Sequence, residues 1–391
     1  MNRAYLAVAV AALSYGMMDA GDIDPVLQEI ERNNLELKAL RSENRASVLD
    51  MKGENSLEAP SVEYSPFFRN GVSGVASSEL VVSQEFDFPT LYAARNKSVK
   101  LQQEALDYEY QAARRNVLLT AKQKCFDLVM LDHMRGVLDE RMANADELLV
   151  MYEKKFAEGG ATSIELNRIK MERMDLQAEL LQNETLRKKT VQELSLLNGE
   201  QPLSVGSLYY PEIKAVESIE ALRKEIVDND AGVHAAEASV ALSQQEIRVN
   251  KQGWIPKLSV GYRRNTDMSE ASNGFLVGAS FPIFSNRNKV KASRARHVAA
   301  QLNLDNTRLQ VESEAEQQLQ ELQRLHKAIG IYDLDLLRQS LLLLKKAVMA
   351  GSMSLVDYYT EADRIYQKWQ TYLTLENQYH NLWATLNRNS L

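Results

Sequence analysis

The chain has 391 residues, of which 45% are apolar and 25% are charged, and its formal net charge is −7 at pH 7. This composition is typical of a folded protein, and the length allows two or three ordinary domains or one large architecture. Lysine and arginine are interspersed with glutamate, which excludes the basic surface that a nucleic-acid-binding protein needs, so no nucleic-acid partner is expected.

The first twenty residues have the pattern of a secretory signal. Arg3 precedes an apolar run of about ten residues, and small residues then lead to a cleavage site near Ala20. The run is too short to cross a bilayer as a helix, and a buried N-terminal helix is the alternative interpretation. We therefore predict a signal peptide over residues 1–20.

The chain has a single cysteine, Cys125, which lies within a helical pattern. One cysteine cannot form an internal disulfide, even in an oxidising compartment. Cys125 is therefore predicted to pack as a small apolar residue inside the protein.

The first half of the mature chain predicts a helix and then two strands. The helix runs from Asp24, as its N-cap, to about residue 55, with Pro25 at the first helical position. The strands are predicted at about 60–69 and 78–88. In the second strand apolar and polar residues alternate, which is typical of a strand with one apolar face.

A long helical hairpin follows the strands. From Leu91 to about residue 156 there is no proline, and apolar residues step by three and four. Such a helix is about 100 Å long at 1.5 Å per residue, far beyond the helices of ordinary globular domains. Gly159 and Gly160 predict a reversal, and Ser163 is the predicted cap of a return helix that ends near Leu197.

The second half repeats this order. After a linker at 201–218, a helix is predicted from Ile219, strands at about 255–264 and 274–284, and a helical hairpin over 286–391 that is interrupted only at Gly330 before its turn. Gly351 and Ser354 correspond to Gly160 and Ser163 at a constant offset. The sequence thus predicts an internal duplication, with repeats at 24–200 and 219–391.

The four predicted strands have the length and alternation of strands that cross a bilayer. A sheet in a membrane must close, because an open edge leaves backbone groups unpaired in hydrocarbon. Four strands are too few for closure, whereas two copies supply eight and three supply twelve. Because an eight-stranded barrel is filled by its own side chains, three copies is the smaller number that leaves a pore. A soluble sandwich, or hairpins packed on helices, is the alternative.

The duplicated layout resembles the TolC-type outer-membrane efflux proteins over nearly the whole mature chain. The most specific segments are the strand ends "FDFPT" and "SFPIF" and the turns "EGGATSIELNRIKME" and "AGSMSLVDYYTEADRIY". The resemblance implies a mainly α protein with membrane β-strands, assembled as a homotrimer. Its twelve-stranded barrel lies in the outer membrane, on a long α-helical barrel in the periplasm.

The resemblance also implies a function and partners. Such proteins are passive exit ducts of tripartite efflux pumps for drugs or metal cations, or of type I secretion systems. The implied partners are outer-membrane lipid, a periplasmic adaptor (membrane fusion) protein and an inner-membrane transporter. A periplasmic coiled-coil adaptor without a pore is the alternative, although an adaptor needs lipoyl-like and barrel domains around a single hairpin.

Two acidic residues are the predicted pore aperture. Asp357 and Glu361 are four residues apart, hence on one helical face, and three copies bring each into a carboxylate ring that attracts cations. Asp357 matches an acidic position that lines the closed aperture in similar channels, whereas Thr360 replaces the next acidic residue of that motif. The alternative is an ordinary acidic residue in a first helical turn.

Two further sets of residues follow from the layout. The turn residues are predicted to form the periplasmic tip where an adaptor docks: Gly159, Gly160, Ser163, Gly351 and Ser354. Pro89 and Pro282 are the predicted junctions between strand and helix.

No motif in the sequence indicates catalysis. The five histidines are scattered, and there is no H-E-x-x-H, G-x-S-x-G, P-loop or dinucleotide-binding pattern. We therefore predict no enzymatic activity, no cofactor and no metal site.

Overall fold

The computed structural model describes residues 23–71, 73–212, 218–267, 270–282 and 286–391. The predicted signal peptide lies outside these residues. The elements, in chain order, are α1 (Asp24–Asn33), α2 (Leu35–Glu54), β1 (Ser61–Phe67), β2 (Ser77–Phe86), α3 (Pro89–Ala157), α4 (Ser163–Leu197), α5 (Ile219–Asp228), α6 (Ala231–Gln252), β3 (Lys257–Asp267), β4 (Glu270–Ser280), α7 (Lys289–Ile329), α8 (Leu334–Met349), α9 (Leu355–Leu386) and a short 3-10 helix (Arg388–Ser390).

The chain divides into two compact units, each built from separate stretches of sequence. Unit 1 comprises Met1–Leu35, Asn116–Glu217 and Gln318–Leu391, and unit 2 comprises Glu36–Arg115 and Ser218–Gln317. Unit 2 contains all four strands, and unit 1 contains both turns between the long helices. Within the described residues, no helix is both long enough and apolar enough to cross a membrane.

The four strands of unit 2 form one antiparallel sheet in the order β1-β2-β3-β4. The central pair joins the two halves of the sequence, since Val82 on β2 lies opposite Tyr262 on β3. Gly261 allows the close approach of these strands, because a Cβ on it would lie 2.6 Å from the carbonyl oxygen of Val82. β1 and β4 are the outer strands.

The sheet has one apolar face and one polar face. Residues directly opposite each other in a ladder share a face, so the register assigns each side chain. Besides the polar Gln84 and Arg264, the apolar face carries Val62, Tyr64, Leu80, Val82, Phe86, Leu258, Val260, Tyr262, Phe275, Val277 and Ala279. The other face carries serines, glycines and an ion pair of 2.7 Å between Arg263 and Glu79.

The last strand differs from its predicted bounds of 274–284. β4 runs from Glu270, which pairs with Asp267 at the end of β3, to Ser280, which pairs with Lys257 at the start of β3. Pro282 follows the strand and has no N–H to donate to a ladder. Pro89 is the first residue of α3 and therefore lies at a junction between strand and helix. Pro282 lies seven residues before the start of α7, and residues 283–285 between them are outside the described residues.

Two of the predicted continuous helices are broken, and the long helix of the second half is interrupted after Gly330, as the sequence predicts. Asn34 has an extended backbone (ψ 124°) and separates α1 from α2. Asp230 caps α6 by accepting hydrogen bonds from two backbone N–H groups, which ends α5 before it. Asp333 accepts a hydrogen bond of 2.9 Å from the N–H of Leu336 and starts α8 as a separate helix after Gly330. At the last two breaks an aspartate side chain caps the helix that follows.

Two single-residue predictions have clear outcomes. Cys125 is fully buried, which confirms that it packs as an apolar residue, and burial raises the pKa of its thiol to about 12. The predicted N-cap Asp24 is wrong, since Asp24 is already the first residue of α1 and follows Ile23, which has helical backbone angles.

Candidate functional site

The turns between the long helices of unit 1 share one hydrogen-bond pattern. After α3, the N–H of Gly160 donates a hydrogen bond of 2.7 Å to the carbonyl of Lys155. After α8, the N–H of Ser352 donates one of 3.0 Å to the carbonyl of Ala347. Gly159 (φ 76°) and Gly351 (φ 75°) adopt the left-handed conformation that such helix ends require. The two turns are therefore the same local structure built twice.

Each return helix is capped by a hydroxyl side chain. The Thr162 hydroxyl accepts a hydrogen bond of 3.2 Å from the N–H of Glu165, whose carboxylate accepts one of 2.8 Å from the N–H of Thr162. The Ser354 hydroxyl accepts a hydrogen bond from the N–H of Asp357 at 3.1 Å and donates one to its carboxylate at 2.6 Å. Both helices thus begin with a hydroxyl and an acidic residue three positions later.

This geometry corrects the predicted cap of the first turn. Ser163 is not the N-cap; it is the first residue of α4, and Thr162 caps the helix. The structural equivalent of Gly351 is accordingly Gly159 rather than Gly160. The pattern T-x-x-E in "TSIE" is the signal that identifies this cap, and it was missed because the neighbouring serine is an equally good capping residue.

The two predicted aperture residues have different surroundings. Asp357 is exposed, and its carboxylate is held by the Ser354 hydroxyl. Glu361 is half-buried and lies 2.9 Å from the guanidinium of Arg364, which compensates its charge. Of the two carboxylates, Asp357 is the one that forms no ion pair with another described residue.

A hydrophobic cluster joins the two turns. It contains Leu148, Tyr152 and Ile169 from the first hairpin and Val348, Leu355, Tyr358, Tyr359 and Ala362 from the second. Ala161 of the first turn and Met353 of the second both pack against it. The two turns therefore rest on one shared core, and burial of that apolar area holds them together.

Behind this cluster, an ion-pair network links the hairpins. The Arg141 guanidinium on α3 lies 2.8 Å from Glu172 on α4 and 3.0 Å from Asp363 on α9, and it stacks over the ring of Tyr366 at 4.6 Å. The side chains of Arg141 and Glu172 are each only 11% exposed. Burial raises the pKa of Glu172, and Arg141 opposes that rise. Nothing in the sequence indicated this network, because its members are 31 and 222 residues apart.

The described part of the chain contains no candidate metal site. Among the residues that the structure describes, no group of three or more His, Cys, Asp or Glu side chains is placed to hold a metal ion. The candidate site at the turns consists of the exposed Asp357 carboxylate, small turn residues and the supporting hydrophobic cluster.

Comparison with known proteins shows which family this chain is similar to. The profile of the family described as "Outer membrane efflux protein" matches residues 222–389. The pyoverdine export outer membrane protein OpmQ of Pseudomonas aeruginosa is 23% identical over 278 residues, which is 69% of this chain and 57% of OpmQ. Residues 222–389 therefore match the outer membrane efflux proteins, the family that the sequence resembles.

Solved structures agree on the fold of this efflux protein. A membrane protein from Pseudomonas aeruginosa matches with a TM-score of 0.75 at 17% identity, over 100% of this chain and 96% of that one. The outer-membrane channel OprN matches with a TM-score of 0.75 at 13% identity, over 94% of this chain and 89% of that one. These likenesses confirm the predicted fold class.

The family match also bears on location. The match to this family places the chain in the outer membrane, with an extension into the periplasm. The family is one of channels, and the absence of enzymatic activity stays a prediction for this chain. The chain spans 57% of the length of OpmQ.

Proposed function

We propose that this efflux protein is a passive, trimeric outer-membrane duct that lets solutes leave the cell. The observation that supports this most directly is the apolar face of the sheet in unit 2. Phe275 is 92% exposed and Val277 is 83% exposed, which is costly in water and favourable in lipid. The opposite face is polar and suits a water-filled lumen.

The open edges of the sheet favour three copies. β1 and β4 each have one neighbour in the described sheet, and neither edge can stay unpaired in hydrocarbon. Pairing β4 of one copy with β1 of the next satisfies both edges. Three copies give twelve strands, and this number leaves a lumen where eight does not.

The aperture is proposed at Asp357. In a trimer the exposed Asp357 carboxylates form a ring of three negative charges, which favours cations and disfavours anions. The Glu361 carboxylates add less, because Arg364 compensates each of them. The turn residues Gly159, Gly160, Ser163, Gly351 and Ser354 are the proposed docking surface for a periplasmic adaptor.

The energy for transport comes from a partner in this proposal. We infer a tripartite efflux pump, in which an adaptor and an inner-membrane transporter load the duct; a type I secretion system is the second candidate. OpmQ is a pyoverdine export protein, which supports export of small molecules. Drugs and metal cations remain the proposed cargo.

The test uses two adjacent residues on opposite faces of β4. Val277→Arg places a charge on the proposed lipid face, which costs about 2–4 kcal/mol near the bilayer midplane. Leu276→Arg places the same charge at the same depth on the polar face. We expect heat-stable trimers in outer membranes from the wild type and Leu276→Arg, and strongly reduced trimers from Val277→Arg.

The outcomes separate the alternatives. Equal yields of trimer from both variants would mean that the apolar face does not meet lipid. Recovery of the wild-type protein as a monomer in the periplasmic fraction would contradict the duct altogether.

A further inference from the structure

One arginine lies on the apolar face of the sheet in unit 2. Arg264 on β3 is directly opposite Leu80 on β2 and Asn273 on β4, and Leu80 is in turn opposite Tyr64 on β1. Residues that are opposite each other share a face, so these four side chains form one row across the sheet, which we call the Arg264 row. A cation on a face that otherwise suits lipid requires a partner.

The adjacent residue on β3, Arg263, has such a partner. It lies on the polar face, and its guanidinium Nε is 2.7 Å from the carboxylate of Glu79. Arg264 is exposed, and among the residues that the structure describes no carboxylate forms an ion pair with it. The two neighbouring arginines therefore differ both in the face they occupy and in the compensation of their charge.

The Arg264 row lies towards the end of the sheet that is away from the periplasm. The helices α2 and α3 join β1 and β2 at one end of the sheet, whereas the pair of Asp267 and Glu270 closes the β3–β4 hairpin at the other end. Beyond the row, the two central strands carry the polar residues Ser78 and Thr266 on the same face. The apolar band thus ends at Arg264 on its outer side.

The height of the apolar band fits a bilayer. Phe281 directly follows β4, is 64% exposed, and lies eight residues after Asn273. At about 3.4 Å per residue this is about 27 Å along the strand, or about 21 Å of height at a strand tilt of about 40°. The apolar band of outer-membrane barrels is about 25 Å tall. The Arg264 row therefore lies at the level of the lipid headgroups, which a long arginine side chain can reach.

The side chains of the Arg264 row supply hydrogen-bond donors. The hydroxyl of Tyr262 donates a hydrogen bond of 2.7 Å to the side-chain oxygen of Asn273, which leaves the amide N–H groups of Asn273 as donors. The guanidinium of Arg264 is a planar fork that binds phosphate oxygens with two hydrogen bonds. Tyr64, which is 60% exposed, adds a hydroxyl. This set of groups suits a phosphate at the headgroup level.

A second copy of the chain does not fill this position. β3 has β2 on one side and β4 on the other, both from its own chain, so both lateral neighbours of Arg264 are already present. A strand of another copy can pair only with β1 or β4, which places it two strand spacings, about 10 Å, from β3. In the proposed duct, the surface in front of Arg264 is therefore open to lipid.

We propose that the Arg264 row binds the phosphate groups of lipopolysaccharide, the phosphorylated glycolipid of the outer leaflet, with Arg264 and Asn273 as the donors. This inference rests on the proposed duct, which places the apolar face in lipid, and it adds a lipid partner in one leaflet. The position of the row away from the periplasm favours the outer-leaflet lipid. A phosphate monoester also carries more negative charge than the phosphodiester of a phospholipid, and so pairs better with an uncompensated cation.

The two adjacent arginines supply matched variants for the test. Delipidated full-length trimers of the wild type, Arg264→Gln and Arg263→Gln are titrated with lipid A, the phosphorylated part of lipopolysaccharide, and bound lipid is counted by native mass spectrometry. We expect Arg264→Gln to bind lipid A about tenfold more weakly, because charge-assisted hydrogen bonds are lost. Arg263→Gln should bind as the wild type does, and Arg264→Lys should lie between the two, because it keeps the charge without the fork.

Two further lipids identify the recognised group. Dephosphorylated lipid A should bind the wild type and Arg264→Gln equally weakly. Phosphatidylglycerol should bind the wild type more weakly than lipid A does. Equal binding of phosphatidylglycerol and lipid A would overturn the assignment to the outer-leaflet glycolipid, and equal losses from the two glutamine variants would overturn the site.

The lipid site and the proposed duct fail in different ways. Arg264→Gln removes a charge from the lipid face, so it should form heat-stable trimers at least as well as the wild type. Trimers that conduct ions but bind lipid A equally with and without Arg264 would overturn the site and keep the duct. Monomers in every preparation, including the wild type, would overturn both.

Discussion

The guanidinium of Arg141 on α3 lies 3.0 Å from the carboxylate of Asp363 on α9, so one buried cation joins the two helical hairpins of unit 1. The same guanidinium binds Glu172 on α4. Such a charge costs little while every partner is present. Removal of the arginine costs much more, because the carboxylate of Glu172 stays buried without its cation.

Removal of Arg141 should therefore destabilise unit 1. We expect Arg141→Ala to lower the free energy of unfolding by about 3 kcal/mol, since Glu172 loses its cation in a buried position. Urea denaturation followed by circular dichroism measures this. The control is Arg135→Ala, whose pair with Asp139 is about half exposed on both sides, and it should cost under about 0.5 kcal/mol. Equal losses from the two variants would refute a special role of the buried network.

Acid should weaken the contact between the linker and α9. His380 on α9 is buried and stacks on the ring of Tyr210 at 3.9 Å, and burial lowers its pKa from the ordinary 6.5 to about 4. Between pH 4 and pH 6.5, the imidazole of His380 is protonated in the unfolded chain but neutral in the folded chain. The contribution of His380 to stability is therefore complete above pH 6.5 and falls as the pH drops towards 4, by about 2 kcal/mol at pH 5.

The variant His380→Phe isolates this effect, because it keeps an aromatic ring against Tyr210 and removes the titrating nitrogen. We expect the variant to be more stable than the wild type at pH 5 and about equal to it at pH 7.5. Thermal midpoints at both pH values measure the difference. A constant difference between the two proteins across this range would contradict the lowered pKa.

Substitution of the capping residues distinguishes the cap seen in the structure, Thr162, from the cap predicted from the sequence, Ser163. Thr162→Ala and Ser354→Ala should each cost about 1 kcal/mol, because each leaves an N-terminal backbone N–H without its acceptor. Ser163→Ala is the matched control, and its effect should be close to zero. A larger loss from Ser163→Ala than from Thr162→Ala would restore the cap that the sequence predicted.

Much of the architecture was predictable, because period and composition are local signals. The alternation in "SELVVSQEF" gave a strand with one apolar face, and the proline-free stretch after Leu91 gave the long helix. The motifs at the two turns gave the family resemblance, which the comparisons confirm. These features depend on neighbours in sequence and need no knowledge of distant contacts.

The features that the sequence did not predict depend on which of two similar residues caps a helix, or on contacts between residues far apart in the chain. Thr162 and Ser163 are both good N-caps. The spacing alone therefore could not decide which of them corresponds to Ser354 in the second repeat. The break at Asp230 depends on a side chain that also occurs within helices. The network around Arg141 joins residues 222 positions apart, and no local pattern marks such a pair.

The most direct test of the proposed duct is the conductance of purified trimers in planar lipid bilayers. The account predicts discrete, cation-selective steps that millimolar divalent cations block, with block lost in Asp357→Asn and retained in Glu361→Gln. The asparagine can still accept a hydrogen bond from the Ser354 hydroxyl, so the cap survives the loss of charge. Selectivity that ignores Asp357 would contradict the aperture, and trimers that never conduct, even with both turns removed, would contradict the pore itself.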